Sequence, residues 1–350
     1  MTDERLAILA EGLFADFHAK TAHGVIRYGR REVVAVVDSQ HAGRTTDEVV
    51  PFCLRPVPIV ASVAEAIGHG ASCLLIGVAP TGGKLDPTWR AMLLEAIDAG
   101  LDVEAGLHTL LGQDLELRAA AQSGGVRLRD LRLVPSDLDV PRGPGARRAD
   151  LRVVHSVGSD TVVGKKVVTL ELDRAARARG LRSVFVATGQ TGIAISGWGI
   201  AVDHVISDYV AGAAERLVEQ GAQRGDLLFL EGQGALFHPA YSGVTLGLLH
   251  GSVPDVLVLV HQARATAIRN YREVPLPSLP ELVRAYEAVC RPVRPARVAA
   301  VALNTAALDE RAARAELAAT EHACSVVADD VIRFGPDRVL DAVLAALGPV

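Results

Sequence analysis

The sequence predicts an α/β protein of two parallel-sheet domains, the second wound on both faces around a phosphate-binding loop. Three observations predict it. Short β-branched runs alternate with helical stretches along the chain, a Pro-, Gly- and Arg-rich segment interrupts the alternation near the middle, and the run VVHSVGSDTVVGKKVVTLEL that follows reads strand, glycine-containing loop, Gly164-Lys165, helix. At 350 residues the chain is long for one core and comfortable for two. Hydrophobic residues make up 49% and aromatics only 4%, so the core is built from Ala, Val and Leu, which suit closely packed layers.

The first half opens on a helix. Glu32 to Asp38 (EVVAVVD) is then a short buried strand that ends at an acid and delivers the polar turn of Ser39, His41, Gly43 and Thr45. Pro58 to Ala61 is a strand, Val63 to Gly68 a helix and Cys73 to Val78 a strand, followed by the turn of Pro80, Gly82 and Gly83 and a helix from Pro87 to Ala99. Between Val134 and Asp150 (VPSDLDVPRGPGARRAD) Pro and Gly break elements and little is buried, which places the domain boundary there, with domains of 1–145 and 150–350.

The second half restarts the alternation: strand Arg152 to Val157, helix Lys165 to Arg179, strand Ser183 to Ala187, and a glycine-rich loop from Ala187 to Gly199. Then come a helix near Asp203 to Gln220, strands Asp226 to Glu231 and Val256 to Val260, helix Leu279 to Cys290, strand Arg297 to Leu303, helix Glu310 to Thr320 and a last helix from Pro336. The fold class is therefore a Rossmann-like parallel-sheet domain followed by a P-loop NTPase-like, doubly wound α/β domain. Such sheets bind ligands beyond the carboxyl ends of their strands.

Composition excludes several function classes. A net charge of -5 with no dense Lys/Arg run gives no footprint for nucleic acid. Cys53, Cys73, Cys290 and Cys324 lie far apart without a C-x-x-C pair and read as small buried hydrophobes of a reducing compartment. The N-terminal apolar run is broken by Glu11 and Asp16, unlike a signal peptide, and no segment approaches the ~18 apolar residues of a membrane span. A cytoplasmic protein acting on a small molecule is expected, and a homo-oligomer on base rates.

Chemistry concentrates in the strand-end loops. In GSDTVVGKK, residues Gly158, Ser159, Asp160, Thr161, Val163, Gly164, Lys165 and Lys166 lead a strand into a helix, an arrangement that aims backbone N–H groups and the helix's positive end at a phosphate. The pattern G-x-x-x-x-G-K-[ST] would have Gly at Ser159 and a metal-binding hydroxyl at Lys166. A second cation at 166 favours holding a nucleotide over hydrolysing it. Glu231, at a strand end in LEGQGALFHPAYSG, is placed for a metal-binding or water-orienting carboxylate, and Gln233, His238, Tyr241 and Ser242 follow it with a base and polar side chains. Gln190 and Thr191 in the glycine-rich loop are suited to orienting a polar substrate, with Asp203 at the start of the next helix. Arg264 and Arg269, after the strand ending at Val260, are suited to gripping a carboxylate or phosphate.

The fragments GVIRYGRREVVAVVDSQHAGRT, ASVAEAI, LLIGVAPTGGKL, GLHTLLG, GSDTVVGKK, ATGQTGIAISGWGIAVDHVISDYVAG, EGQGALFHPAYSGVTLGLLHG, PSLPEL, ALNTAAL and RFGPDRVLDA, in that order, resemble the DUF1611 family along nearly the whole chain. The resemblance implies a D-glutamate N-acetyltransferase activity with acetyl-CoA as co-substrate. The second half also resembles dethiobiotin synthetase, whose loop has the form G-T-D-T-x-V-G-K-T; Lys166 replaces the final Thr. That likeness implies ATP with Mg²⁺ held by Glu231 and Asp160, and an adenine-reading Asn304. The segment PIVASVAEAIGHGASCLLIGVAP is similar to the CoA-binding domain of succinyl-CoA synthetase. Three readings stand: acyl transfer to an amino acid with His238 or Glu231 as base, ATP-dependent carboxylate activation, and a non-catalytic nucleotide or CoA sensor.

Overall fold

The computed structural model describes residues 4–80, 82–143 and 147–348. The chain packs into two compact units, Met1–Val134 with Gly189–His204 and Pro135–Thr188 with Val205–Val350.

The first unit holds β1 (Arg5–Leu9), α1 (Lys20–Tyr28), β2 (Glu32–Val37), α2 (Thr46–Val49), β3 (Ile59–Val60), α3 (Val63–Gly68), β4 (Cys73–Ile76), α4 (Arg90–Asp98), β5 (Asp102–Ala105), α5 (Leu115–Gly124) and β6 (Leu128–Asp130). Its six strands are all parallel in the order β3-β2-β1-β4-β5-β6, the Rossmann order. The first element among the described residues is therefore a strand and not the expected helix. Leu and Ala favour helix in isolation, but RLAIL pairs with β2 and β4 on its two sides, and Leu6 through Leu9 are fully buried, so tertiary burial overrides local preference.

The second unit holds β7 (Arg152–Gly158), α6 (Lys165–Ala178) and β8 (Ser183–Val186). After α7 (Gln190–Ser196), which belongs to the first unit, it continues with α8 (Val210–Ala222), β9 (Leu227–Leu230), α9 (Ser242–Ser252) and β10 (Val256–Gln262). The hairpin β11 (Ala267–Ile268) and β12 (Tyr271–Pro275) follows, then α10 (Leu279–Cys290), β13 (Arg297–Asn304), α11 (Glu310–Cys324), β14 (Val327–Asp329) and α12 (Asp337–Leu347). The main sheet is parallel in the order β14-β13-β10-β7-β9-β8. Alternation along β10 shows why helices cover both faces. Val256, Val258 and Val260 pack with Val168, Leu172, Val339 and Leu340, while Leu257 and Leu259 pack with Leu282, Tyr286 and Leu317.

Three expectations about the middle of the chain change. Residues from Pro135 onward already pack in the second unit: Arg216 pairs with Asp137, and Glu215 accepts the main-chain N–H groups of Arg142 and Gly143. Residues 144–146 of the expected boundary lie outside the described residues. The expected glycine-rich loop contains α7, with Gly189 as N-cap, Gly192 buried inside the helix and Gly197 closing it at φ 79°. This helix packs in the first unit because Gly24 of α1 leaves room, since a methyl there would meet Ile195 and Thr191 side chains at 3.2 and 3.3 Å. The helix expected from Asp203 starts at Val210, because Asp203 pairs with Arg132 in the first unit. Among the described residues no helix is long and apolar enough to cross a membrane.

Candidate functional site

The sheet of the second unit reverses direction at β7: the chain leaves it toward β9 and β8 on one side and returns as β10, β13 and β14 on the other. The loop after β7, residues 159–164, lies at that switch point, where strand ends diverge and leave a crevice. Val162 at φ 57° and Gly164 at φ 112° turn the chain into α6. The N-cap Gly164 gives α6 no side-chain hydrogen bond, and the N-terminal end of this helix carries the partial positive charge that suits an anion. Lys165 is buried, and its ammonium donates to the carbonyl oxygen of Asp160 at 2.7 Å with no ion pair among the described residues. Burial pushes it down to about 8, opposed by the more distant carboxylates of Asp160 and Glu231. A desolvated ammonium held only by a carbonyl is short of negative charge, and a phosphate would supply it.

On one flank, β9 delivers Glu231. Its carboxylate accepts the Thr188 N–H at 3.2 Å, the Thr188 hydroxyl donates to the Glu231 carbonyl at 2.7 Å, and the Gln233 amide donates to that hydroxyl at 3.2 Å. Gly232 is required here, since a methyl on it would meet the Ser156 carbonyl oxygen at 1.8 Å. Ser156 and Thr169 close the layer below: the Gly232 N–H donates to the Ser156 hydroxyl at 3.0 Å, and the Thr169 hydroxyl donates to it at 2.8 Å. Ser242 is the first residue of α9.

His238 is buried, and its Nδ1 accepts the Ala240 N–H at 3.1 Å. The ring proton therefore sits on Nε2, which faces an Asp160 carboxylate oxygen at 3.9 Å. Burial holds the imidazole below its ordinary value, with Asp160 pulling it up and Lys165 pushing it down. In this tautomer His238 is a hydrogen-bond donor and not a ready base. Tyr241, half exposed, tilts against its ring at 4.6 Å, and Tyr271 of the hairpin meets it edge-on at 5.2 Å.

Asp160 is the hub of this corner. Its carboxylate accepts the Thr161 N–H and the Arg269 N–H, each at 2.6 Å, tying the hairpin turn to the loop after β7. For the Mg²⁺ that the ATP-dependent reading would place on Asp160 and Glu231, the loop offers a donor set in which both Asp160 oxygens already accept main-chain protons and position 166 lacks the hydroxyl. Among the described residues, the one cluster of three metal-type ligands is Glu4, Cys73 and Glu104 in the first unit. It is an ion network: Arg31 pairs with both glutamates at 2.7–2.8 Å, Arg129 pairs with Glu4 at 2.7 Å, and burial pushes the Cys73 thiol up to about 12.

On the other flank, His261 at the end of β10 shares a 2.8 Å hydrogen bond with Ser159, and burial pushes its imidazole down to about 4. Asn304, exposed at the end of β13, accepts the Ala306 N–H through its side-chain oxygen. Arg264 is exposed, with Glu316 at 3.7 Å. Gln190 and Thr191 belong to the first unit, where the Thr191 hydroxyl meets that of Thr21 at 2.6 Å, and the cluster described here consists of second-unit residues alone.

Residues 142–340 match a family described as a domain of unknown function, DUF1611_C, a P-loop domain, and residues 39–133 match its partner DUF1611_N, a Rossmann-like domain. The chain belongs to the DUF1611 family. A curated relative from Tritonibacter scottomollicae, named D-glutamate N-acetyltransferase, is 40% identical over 286 residues, which is 81% of this chain and 84% of the relative. A second of the same name, from a Pseudoalteromonas species, is 35% identical over 280 residues, 80% of this chain and 83% of the relative. The crystal structure of a DUF1611 family protein from Anabaena variabilis is similar with a TM-score of 0.91 at 41% identity, covering 97% of this chain and 99% of that one.

Within this DUF1611 fold, sequence reasoning missed Thr188 and Tyr271. Thr188 carried a usable signal, since it directly follows the apolar run of β8, where ligand loops begin. Tyr271 carried none, because the hairpin that brings it to His238 has no counterpart in the alternation of strands and helices.

Proposed function

We propose that this chain is an N-acetyltransferase that binds acetyl-CoA with its diphosphate at the loop after β7 and transfers the acetyl group to the amine of D-glutamate or a related amino acid. The names of the two curated relatives support an N-acetyltransferase-like function. The observation that carries the co-substrate is Lys165, a buried ammonium with no ion pair among the described residues, at the N-terminal end of a helix without a side-chain cap, in a loop whose next residue is a second lysine in place of the metal-binding hydroxyl. That set holds phosphate charge without a metal, which suits a nucleotide used as a handle.

In the transfer, the neutral amine nitrogen attacks the thioester carbonyl carbon, a C–N bond forms, the C–S bond breaks, and the amine proton leaves to a base while the thiolate takes up a proton. Glu231 is the better base, because the proton of His238 already sits on Nε2. His238 is then the donor, to the carbonyl oxygen as it gains charge or to the departing sulfur. Tyr241 and Tyr271 hold the imidazole, and Arg269 and Ser242 are the groups assigned to the amino acid's carboxylates.

The test is to mix the protein with acetyl-CoA and D-glutamate, without ATP or metal, and to follow thiol release. Glu231→Gln is expected to lower kcat by about 10²-fold or more, and His238→Gln by a smaller factor. No D-glutamate-dependent thiol release, with phosphate release once ATP and Mg²⁺ are added, would replace this reading with ATP-dependent activation. Tight CoA binding with no turnover of any amine would leave a sensor.

A further inference from the structure

We infer that Arg264 reads the 3′-phosphate of CoA and so selects CoA over ADP-type nucleotides that lack it. The inference rests on the acetyl-CoA reading above and moves Arg264 from the amino acid to the co-substrate.

The two flanks of β7 differ in chemistry. The β9 side is closed and acidic, with buried Glu231 and Thr188. The β10 and β13 side is open and offers exposed Gln262, Arg264 and Asn304, groups able to meet the edge of a base and a phosphate. Gln262 pairs with Asn304 in the ladder between β10 and β13, and the Ala263 N–H donates to the Asn304 carbonyl at 3.1 Å, so the turn carrying Arg264 rests on the end of β13. The Ala265 N–H closes that turn onto the Gln262 carbonyl at 3.1 Å.

Arg264 takes φ 63° there, a left-handed conformation that costs a residue with a side chain and that Gly or Asn would adopt more easily. The side chain that is kept is a planar, permanently charged fork suited to a phosphate dianion. Its carboxylate neighbour, Glu316 of α11, stands at 3.7 Å with the Arg264 side chain 62% exposed, too loose a pairing to satisfy it. CoA differs from ADP on this side of its diphosphate only by the 3′-phosphate, so an arginine beside the adenosine end is placed to tell them apart.

The experiment titrates CoA and 3′-dephospho-CoA calorimetrically into the wild type, Arg264→Gln, Glu316→Gln and Lys165→Ala. The wild type is expected to bind CoA about tenfold more tightly than 3′-dephospho-CoA, as one charge-assisted contact provides. Arg264→Gln should bring the ratio near one by weakening CoA, and Glu316→Gln should raise it by removing a competing anion. Equal affinities in the wild type, or a ratio that survives Arg264→Gln, overturn the inference, while the acetyl-CoA reading stands provided Lys165→Ala weakens both ligands. If neither ligand binds the wild type, or Lys165→Ala leaves both bound as before, the reading fails and this inference falls with it.

Discussion

Both units have six-stranded parallel sheets, but one buried or half-buried cation in each is balanced in the opposite way. In the first, Arg31 is clasped by Glu4 and Glu104, both largely buried, and this raises its pKa against the penalty of burial. Asp38, at the end of β2, is equally satisfied: its carboxylate accepts the Gly12 N–H at 3.0 Å and the Gln40 N–H at 3.2 Å and faces His41 at 2.8 Å. In the second unit Lys165 has a carbonyl for a partner and a pKa pushed down to about 8. A closed charge balance holds a fold together, whereas an open one marks where a charged ligand belongs.

The comparison breaks most readily at Arg31. Arg31→Met takes the closest cation from buried Glu104, leaving it Arg129 at 3.7 Å, and one of the two close cations from Glu4, and should destabilise the protein by about 3–5 kcal/mol, measured by urea unfolding. If it costs less than about 1 kcal/mol, the network is not the closed balance described here.

Lys165→Met should do the reverse. It keeps an apolar stem of similar length and removes a desolvated charge, so stability at pH 7 should rise by about 1–3 kcal/mol while CoA affinity falls about 100-fold. The sign follows from the shift: the unfolded lysine keeps its proton up to 10.5 and the folded one only to about 8. The stability gain is therefore full below pH 8 and fades as pH rises toward 10.5. Phosphate binding favours the charged form, so wild-type CoA affinity should weaken as pH rises through about 8, followed by calorimetry. A stability loss in Lys165→Met, or affinity flat across that pH range, would mean that Lys165 is already satisfied.

The smallest effect sharpens the placement of α7. Thr191→Val removes the bond to Thr21 and leaves a buried hydroxyl without its partner, a cost of about 1 kcal/mol by thermal unfolding, with CoA affinity unchanged. A fall in CoA affinity instead would give Thr191 back the ligand role expected of it from the sequence.

Legibility followed the range of the interactions. The loop after β7, the ends of α6 and the strands β7, β8, β9, β10 and β13 were readable because a strand, a glycine turn and a helix start are written in consecutive residues, whereas the three-residue β14 was not expected. Glu231 was readable for the same reason, as an acid ending an apolar run. β1 and α7 were not: RLAIL becomes a strand only because β2 and β4 flank it, and Gln190–Ser196 reads as loop until Gly189 and Gly197 are seen to be helix ends. The hairpin of β11 and β12 is too short for periodicity to reveal, yet it supplies Tyr271 and the Arg269 N–H.

The sequence by itself determined that this protein has two α/β halves, that the second carries a P-loop with lysine where the usual pattern has a hydroxyl, and that acid, imidazole and amide groups lie at or after its strand ends. Those properties are carried by neighbours in the chain. Only the tertiary structure decided that Asp160 is tied up by main-chain N–H groups, that His238 carries its proton on Nε2, that Gln190 and Thr191 pack in the first unit, and that Lys165 has no ion pair among the described residues. Each of these depends on which groups distant in sequence satisfy a buried charge or polar atom, and that is settled when the layers pack.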